Sequence, residues 1–368
     1  MIIETAKTAD FKELLKFENR VFKIKFENKV PKVYRFPESA ALHGIHREGG
    51  RIAGGICILP GAFIIGSEKL VTAGIGSVAV AKGLRGRGIM NELMLYAEKK
   101  SLEYGADVGF LSGYRFRYQR FGYVPAGIKC VFEVTDHLIA HTKKSEKLCF
   151  LPVKSEKEAE EAFKLYSSQE IRFERERERF ASILRTWHSE AYLVEDRDGN
   201  VCGYLIYKGD ENAVSELILE DNAKARDVLV LFAREKGLKN LFVRCCNFQQ
   251  SLLKELLKFG EHYRTEAAVS LKIFSYKNFI EKMLALKTRL GAVQSGSLVL
   301  GIGEETLKIT VDGKNITVIE TQEKPELSFV QTEAAVALTR PECAVTENAL
   351  FNAWTPLCPF SIFSVDTV

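Results

Sequence analysis

The stretch that decides the fold is Val78-Ala79-Val80-Ala81-Lys82-Gly83-Leu84-Arg85-Gly86-Arg87-Gly88-Ile89-Met90-Asn91. It reads as a β-branched strand, a cationic glycine turn and the start of an amphipathic helix. A helix start carries backbone N–H groups without intrahelical partners and roughly half a positive charge from the aligned peptide dipoles. Gly86 and Gly88 have no Cβ, so the backbone there can approach an anion closely. Arg85 and Arg87 add charge that does not titrate away and can hold phosphate oxygens in fork geometry. Strand, turn and helix in this order predict a pyrophosphate site.

Three phosphate-binding turns compete for that reading. A P-loop needs its lysine followed by Ser or Thr at the helix start, and no such stretch occurs. A dinucleotide fingerprint needs Gly-x-Gly-x-x-Gly after the first strand of a βαβ unit; Gly83-x-x-Gly86-x-Gly88 is spaced differently, and several predicted strands precede it. The third is a coenzyme A turn, and here the chain resembles the GNAT N-acetyltransferases. Their turn runs Gln or Arg, two residues, Gly, one residue, then Gly or Ala. Arg85, Gly88 and the strand Val78-Ala79-Val80 fit it. Met90 stands at the last position, a departure that narrows the cradle and is similar to the enhanced intracellular survival (Eis) branch. The resemblance implies acetyl-coenzyme A as co-substrate, with no metal. It would be held by Val78, Ala79, Val80, Arg85, Gly86, Arg87, Gly88, Ile89, Met90 and Asn91.

Further on the chain reads Tyr114-Arg115-Phe116-Arg117-Tyr118-Gln119-Arg120-Phe121-Gly122-Tyr123. This is similar to the GNAT segment Tyr-x-x-Phe-Gly-Phe/Tyr, whose first tyrosine, matched by Tyr118, is the general acid toward the departing thiolate. The chemistry is sensible: a thiol has a pKa of about 8.5, and a phenol near 10 can donate once the site organises it. The structural alternative makes Tyr118 a packing residue on a short helix. Tyr114 and Tyr123 read as structural, with the backbone of Gly113 and Tyr114 expected against the cofactor.

Composition bounds the rest. With 368 residues, two or three domains are expected rather than one core. Apolar residues make up 46% and charged residues 27%, a globular profile. A net charge of +4 gives no support to nucleic acid as a partner, and no apolar run suits a membrane span. The eight cysteines include no Cys-x-x-Cys, and Met1-Ile2-Ile3-Glu4 does not read as a signal peptide, so reduced thiols in a cytoplasmic protein are expected. His43-x-x-His46 has an i, i+3 spacing that suits a metal on a helix. It falls where a strand is expected, with no third ligand nearby.

The chain divides into three sections. Residues 1–145 start with a helix at 8–21 and a loop marked by Pro31 and Pro37. Strands are expected at 41–47, 51–65 and 68–80, with turns at Gly49-Gly50 and Gly66-Ser67. Apolar residues at 89, 90, 93, 94 and 97 give one helical face that Gly105 ends; a strand at 107–111 and a last strand pair within 124–134 follow. Residues 146–272 repeat this order around the turn Asp196-Arg197-Asp198-Gly199-Asn200, but Glu220-Asp221-Asn222 stands at the helix entry. Carboxylates there cap a helix well and repel a pyrophosphate. The run 172–179, alternating Arg and Glu, reads as a solvated face or a charge-braced helix. Residues 273–368 give a helix at 279–288, strands at 307–311 and 317–321 about Asp312-Gly313-Lys314-Asn315, and helices at 332–338 and 347–354.

The resemblance thus implies an α+β chain of tandem GNAT folds, the second degenerate, followed by a sterol-carrier-protein-like α/β domain. In the Eis family the C-terminal residue reaches the acetyltransferase site and its carboxylate is the general base. Here that residue is Val368, at the end of an apolar tail, 360–368, suited to packing. An ordinary terminal carboxylate, pKa about 3.3–3.7, is a weak base that needs burial or a water relay. Asp366, Glu48 and His46 are alternatives. The implied activity is transfer of an acetyl group to a primary amine: an aminoglycoside, a lysine or another small amine. The family further implies a homo-oligomer, a hexamer among the options. Rival readings are a silent acyl-coenzyme A sensor or scaffold, and a lipid carrier.

Overall fold

The computed structural model describes residues 2–36, 40–143, 147–340, 342, 346–357 and 361–368. The boundary expected at 145/146, Pro37 and Phe360 lie outside them.

Three antiparallel strands, Leu42–Glu48, Arg51–Ile65 and Glu68–Val80, build the first sheet outward from Glu4–Thr5. The expected helix appears as a short 3-10 turn, Thr8–Asp10, running into Phe11–Phe22. Pro31 opens a helical turn, Pro31–Tyr34, where a loop was expected; proline suits a first helical position because it lacks an N–H that would go unused there. The helix Ile89–Glu103 lays Ile89, Leu93, Met94 and Ala97 on this sheet, and the chain leaves it at Gly105 with φ 80°. Each large apolar side chain buried this way contributes about 1.5–3 kcal/mol, which clamps the helix start against the end of Glu68–Val80.

Val108–Leu111 then runs parallel to Glu68–Val80, from Thr72↔Val108 to Ile75↔Leu111. Beyond Ile75 the two strands part. Among the described residues, the edge of Gly76–Val80 that faces away from Arg51–Ile65 has no strand partner. The resulting fork opens at the glycine turn.

The second sheet repeats this order. Glu190–Glu195, Val201–Lys208 and Ala213–Leu219 are antiparallel, Ala225–Glu235 follows, and Leu241–Cys246 returns parallel at Ala213↔Phe242 and Val214↔Val243. The expected last pair within 124–134 does not form. Val124–Ala126 stays in the first sheet, whereas Lys129–Val134 enters the second, between His262–Glu266 and Leu241–Cys246. In return Val269–Ile273 inserts into the first sheet between Val108–Leu111 and Val124–Ala126. Gly127, at φ 69°, separates two strands that each find longer partners elsewhere than each other. The two sheets therefore exchange strands.

The last section is a four-stranded sheet ordered Asn315–Glu320, Glu305–Asp312, Gly296–Ile302, Leu327–Phe329, with the helix Tyr276–Leu290 packed on it. Its core is continuous with that between the two larger sheets. No described helix is long and apolar enough to cross a membrane.

Candidate active site

The glycine turn is built for close approach. Gly86 and Gly88 have φ of 81° and 82°, conformations that cost an L-residue, and nothing lies within 4 Å of a Cβ built on either. Asn91 and Glu92 are the first to return hydrogen bonds, both to the Gly88 carbonyl, at 2.9 and 3.2 Å. Arg85 and Arg87 are exposed. Arg85 Nε donates weakly to the Val80 carbonyl at 3.4 Å, and Arg87 lies 3.7 Å from Glu48. Met90 is half-buried and packs on the core beneath the helix, so its bulk is turned partly away from the cradle. Glycines, helix start and two available guanidiniums together fit a diphosphate.

At the fork the strand is distorted. Gly55↔Ala79 and Cys57↔Gly76 are the flanking pairs, so Ser77 and Val78 oppose Ile56 alone in a β-bulge. Ser77 sits at φ 51°, a strained conformation for a non-glycine residue. Its Oγ accepts a 2.7 Å hydrogen bond from the buried Tyr34 hydroxyl, which holds the bulge in place.

The chain terminus closes on this bulge. Val368 is buried, and a Cβ placed on Gly76 would fall 2.5 Å from its carboxyl carbon. No residue larger than glycine fits there unless the carboxyl moves. Three contacts anchor the tail: Lys32 Nζ donates to the Val365 carbonyl at 2.7 Å, Trp187 Nε1 donates to Thr367 Oγ1 at 2.8 Å, and Arg175 grips Asp366. Arg175 donates to both Asp366 oxygens at 2.8 and 2.9 Å and to both Glu216 oxygens at 3.0 and 2.6 Å. Its guanidinium also lies 3.9 Å over the Tyr166 ring, and Tyr204 donates to Glu216. Burial pulls the Arg175 pKa down, but the two carboxylates outweigh it and hold the pKa well above the usual range. The expected solvated face at 172–179 holds for Glu174, Glu176, Arg177 and Glu178, which are exposed, and fails at Arg175. Arg172 and Phe173 belong to a strand on Arg51–Ile65, and Arg175 is buried because its partners stand on other elements.

The alternative bases are placed otherwise. Both oxygens of Asp366 are taken by Arg175. Glu48 is half-exposed beside His46 and Arg87, at the glycine-turn end. His43 and His46 alternate to opposite faces of a strand, as a three-residue step requires; His43 packs edge-on to Tyr34, and burial pushes its pKa down to about 4. No cluster of three metal-ligating side chains occurs among the described residues.

Tyr118 stands on the other arm of the fork. It ends the helical turn Arg115–Tyr118, and a Cβ on Gly113 would meet its ring at 2.8 Å, so Gly113 (φ 150°) admits the ring over the tip of Val108–Leu111. Burial pushes its pKa up, with Arg117 opposing. Tyr114 is 71% exposed, its ring under Arg117, while Tyr123 is buried in the core.

In the second sheet Ala213–Leu219 and Leu241–Cys246 also part, beyond Val214↔Val243, but this second fork is built differently. Its cavity, about 270 Å³, is crossed at the base by Gln249, which donates to the Leu217 carbonyl at 3.3 Å and accepts from Cys246 N–H at 3.0 Å. Asp221 accepts from Ala223 N–H at 2.9 Å, so a carboxylate holds the position an anion would need.

A bulged, splayed strand thus ends in a helix-start cradle suited to the diphosphate of a phosphorylated carrier. Residues 3–126 match the acetyltransferase (GNAT) domain family, so this part of the chain carries a GNAT acetyltransferase domain, and over its length the chain has an Eis-like fold. Over its length it is similar to a GCN5-related N-acetyltransferase from Kribbella flavida, at 15% identity and a TM-score of 0.72, covering 100% of this chain and 98% of that one. It is also similar to one from Anabaena variabilis, at 19% and 0.71, covering both chains fully. Eis1 from Mycobacterium abscessus matches at 15% and 0.68, over 98% of this chain and 99% of that one. At such identities the likeness is one of fold. No curated protein matches the sequence.

Proposed function

We propose that the chain moves an acetyl group directly from acetyl-coenzyme A to a primary amine, with Tyr118 as general acid and the Val368 carboxylate as general base. The observation that carries this reading is the Val368 carboxyl carbon seated on Gly76, one residue past the last strand pair Ile75↔Leu111.

The co-substrate's diphosphate would lie on the turn 85–91 and its pantetheine arm along Val78–Val80, within reach of the Gly113–Tyr114 backbone. Backbone N–H groups of the bulged strand would polarise the thioester carbonyl, as an oxyanion hole does. The amine gives up a proton to Val368, its nitrogen bonds the carbonyl carbon, the C–S bond breaks, and Tyr118 protonates the thiolate. Residues 1–145, 146–272 and 273–368 are read as a catalytic GNAT domain, a degenerate GNAT domain and a sterol-carrier-protein-like domain. Six free cysteines among the described residues support a reducing, cytoplasmic setting. The inter-sheet strand exchange supports one interdependent unit across the first two domains.

Deleting Thr367 and Val368 tests the assignment. Calorimetry should give unchanged coenzyme A affinity, while free-thiol release with an amine panel falls at least 100-fold. Unchanged turnover would overturn Val368 as the base, and absence of coenzyme A binding in the intact chain would overturn the whole reading.

A further inference from the structure

The helical turn Pro31–Tyr34 is four residues long, and all four are buried. Pro31 opens it, and the Tyr34 and Arg35 N–H groups close it onto the Val30 and Pro31 carbonyls at 3.1 and 3.2 Å. Val33 and Tyr34 share one apolar cluster with Val368 and with Cys57, the strand partner of Gly76. The turn therefore packs where the tail meets the bulged strand.

Two side chains of this turn reach different parts of the candidate site. Lys32 Nζ donates to the Val365 carbonyl, three residues before the terminus, and Tyr34 donates to Ser77 Oγ, next to Gly76. Residues two apart on a helix are turned by roughly 200°, so the turn bridges tail and strand. Neither polar group is what a core needs. Among the described residues the Lys32 nitrogen makes one hydrogen bond, and an apolar side chain of its length would be buried at lower cost. Burial lowers its pKa to about 7, with Asp366 opposing, but charged or neutral the amine keeps an N–H for the Val365 carbonyl. Ser77, at φ 51°, holds a strained backbone of the kind that persists only where its surroundings fix it, and Tyr34 makes the side-chain bond to it.

We infer that Lys32 and Tyr34 are positioning residues: one turn sets the Val368 carboxylate and the N–H groups of the bulge at a fixed separation. Each acts through the group it holds. The inference rests on the acetyl-transfer reading and deepens it. In that reading the base takes a proton from the amine while the bulge polarises the carbonyl that the same amine attacks, so the two must stand in register. A misplacement near 1 Å costs about 100-fold in rate. Because tail and bulge are both referred to one turn, losing either bond loses the register, and losing the second adds little.

The test uses Lys32→Met and Tyr34→Phe, which remove one bond each and keep the apolar volume, and the double variant, all in the full chain. Thiol release with acetyl-coenzyme A and an amine panel reports kcat, and calorimetry reports coenzyme A affinity. Amide hydrogen exchange reports the tail and the bulge without turnover. Expected is a kcat at least 10-fold lower in each single variant, with the coenzyme A dissociation constant changed less than threefold. The two losses should not multiply in the double variant. Exchange should rise over 361–368 in Lys32→Met and over 76–80 in Tyr34→Phe. Should Tyr34→Phe not fold, Ser77→Gly removes the same bond and should show the same loss. Losses that multiply would make the two contacts independent and overturn the shared turn. A fall in kcat smaller than 10-fold in either single variant, or one matched by lost coenzyme A affinity, would overturn the positioning role and leave acetyl transfer standing. In a parent chain that binds coenzyme A but releases no thiol, acetyl transfer itself falls; the two rises in exchange would still support the clamp, and unchanged exchange would overturn it.

Discussion

The carboxyl carbon of Val368 and the Cα of Gly76 pack so closely that even a methyl group on Gly76 would sit 2.5 Å from that carbon. Gly76→Ala should therefore displace the terminus without touching the glycine turn. A misplacement near 1 Å costs about 100-fold in rate. We expect kcat to fall by one to two orders of magnitude and the coenzyme A dissociation constant to change less than threefold, measured by thiol release and calorimetry.

Asp366 holds the tail from the other side. In Asp366→Asn the double hydrogen bond from Arg175 weakens, while Glu216 keeps Arg175 paired and spares the second sheet. Breaking one arm of a buried ion pair costs about 3–5 kcal/mol. That cost should appear as tail release: carboxypeptidase should trim the variant at least 10 times faster than the parent chain. Turnover should fall in parallel, with thermal unfolding of the bulk lowered by only a few degrees.

Much of this site was legible locally. The strands at 51–65 and 68–80, the glycine turn and the helix after it follow from contiguous sequence, because φ freedom, charge and apolar spacing are set within a few residues. Tyr118 was placed by its neighbours for the same reason. Arg175 was not, since alternation of Arg and Glu looks solvated until Glu216 and Asp366, far off in the chain, are brought to it. Lys129–Val134 was legible as a strand but not as a member of the second sheet, because pairing is a non-local property. The strand Gly296–Ile302 went unread. Gly74 and Gly76 carried an unused signal: glycine inside a strand marks a bulge or a close backbone approach, and both occur there.

Tyr118 offers a test through pH. Burial raises its pKa, so the phenol keeps its proton beyond the ordinary value near 10. The alkaline limb of the pH–rate profile should accordingly fall above pH 10 in the parent chain. Tyr118→Phe should lose about 100- to 10,000-fold in kcat and lose that limb, at near-constant coenzyme A affinity. A variant with parental kcat would reduce Tyr118 to a packing residue.

Glu18 gives a prediction about stability. It is buried on the helix Phe11–Phe22, neither carboxyl oxygen has a hydrogen-bond partner among the described residues, and burial pushes its pKa up from 4.5 to about 8, with the nearby Tyr34 hydroxyl opposing. The folded chain therefore keeps a proton that the unfolded chain releases between pH 4.5 and 8. Its stabilising contribution is complete below pH 4.5, declines as pH rises and is gone once pH passes 8. Lys32 acts the other way: burial lowers its pKa to about 7 from 10.5, so the unfolded chain holds the extra proton and stability rises with pH across that window. In a comparison of Glu18→Gln with the parent chain the Lys32 effect cancels, because both proteins carry it. The amide should thus melt within a degree of the parent at pH 4.5, several degrees above it at pH 8, and by no further margin at pH 9. A melting offset that stays constant from pH 4.5 to 9 would mean that the folded chain does not hold the Glu18 proton.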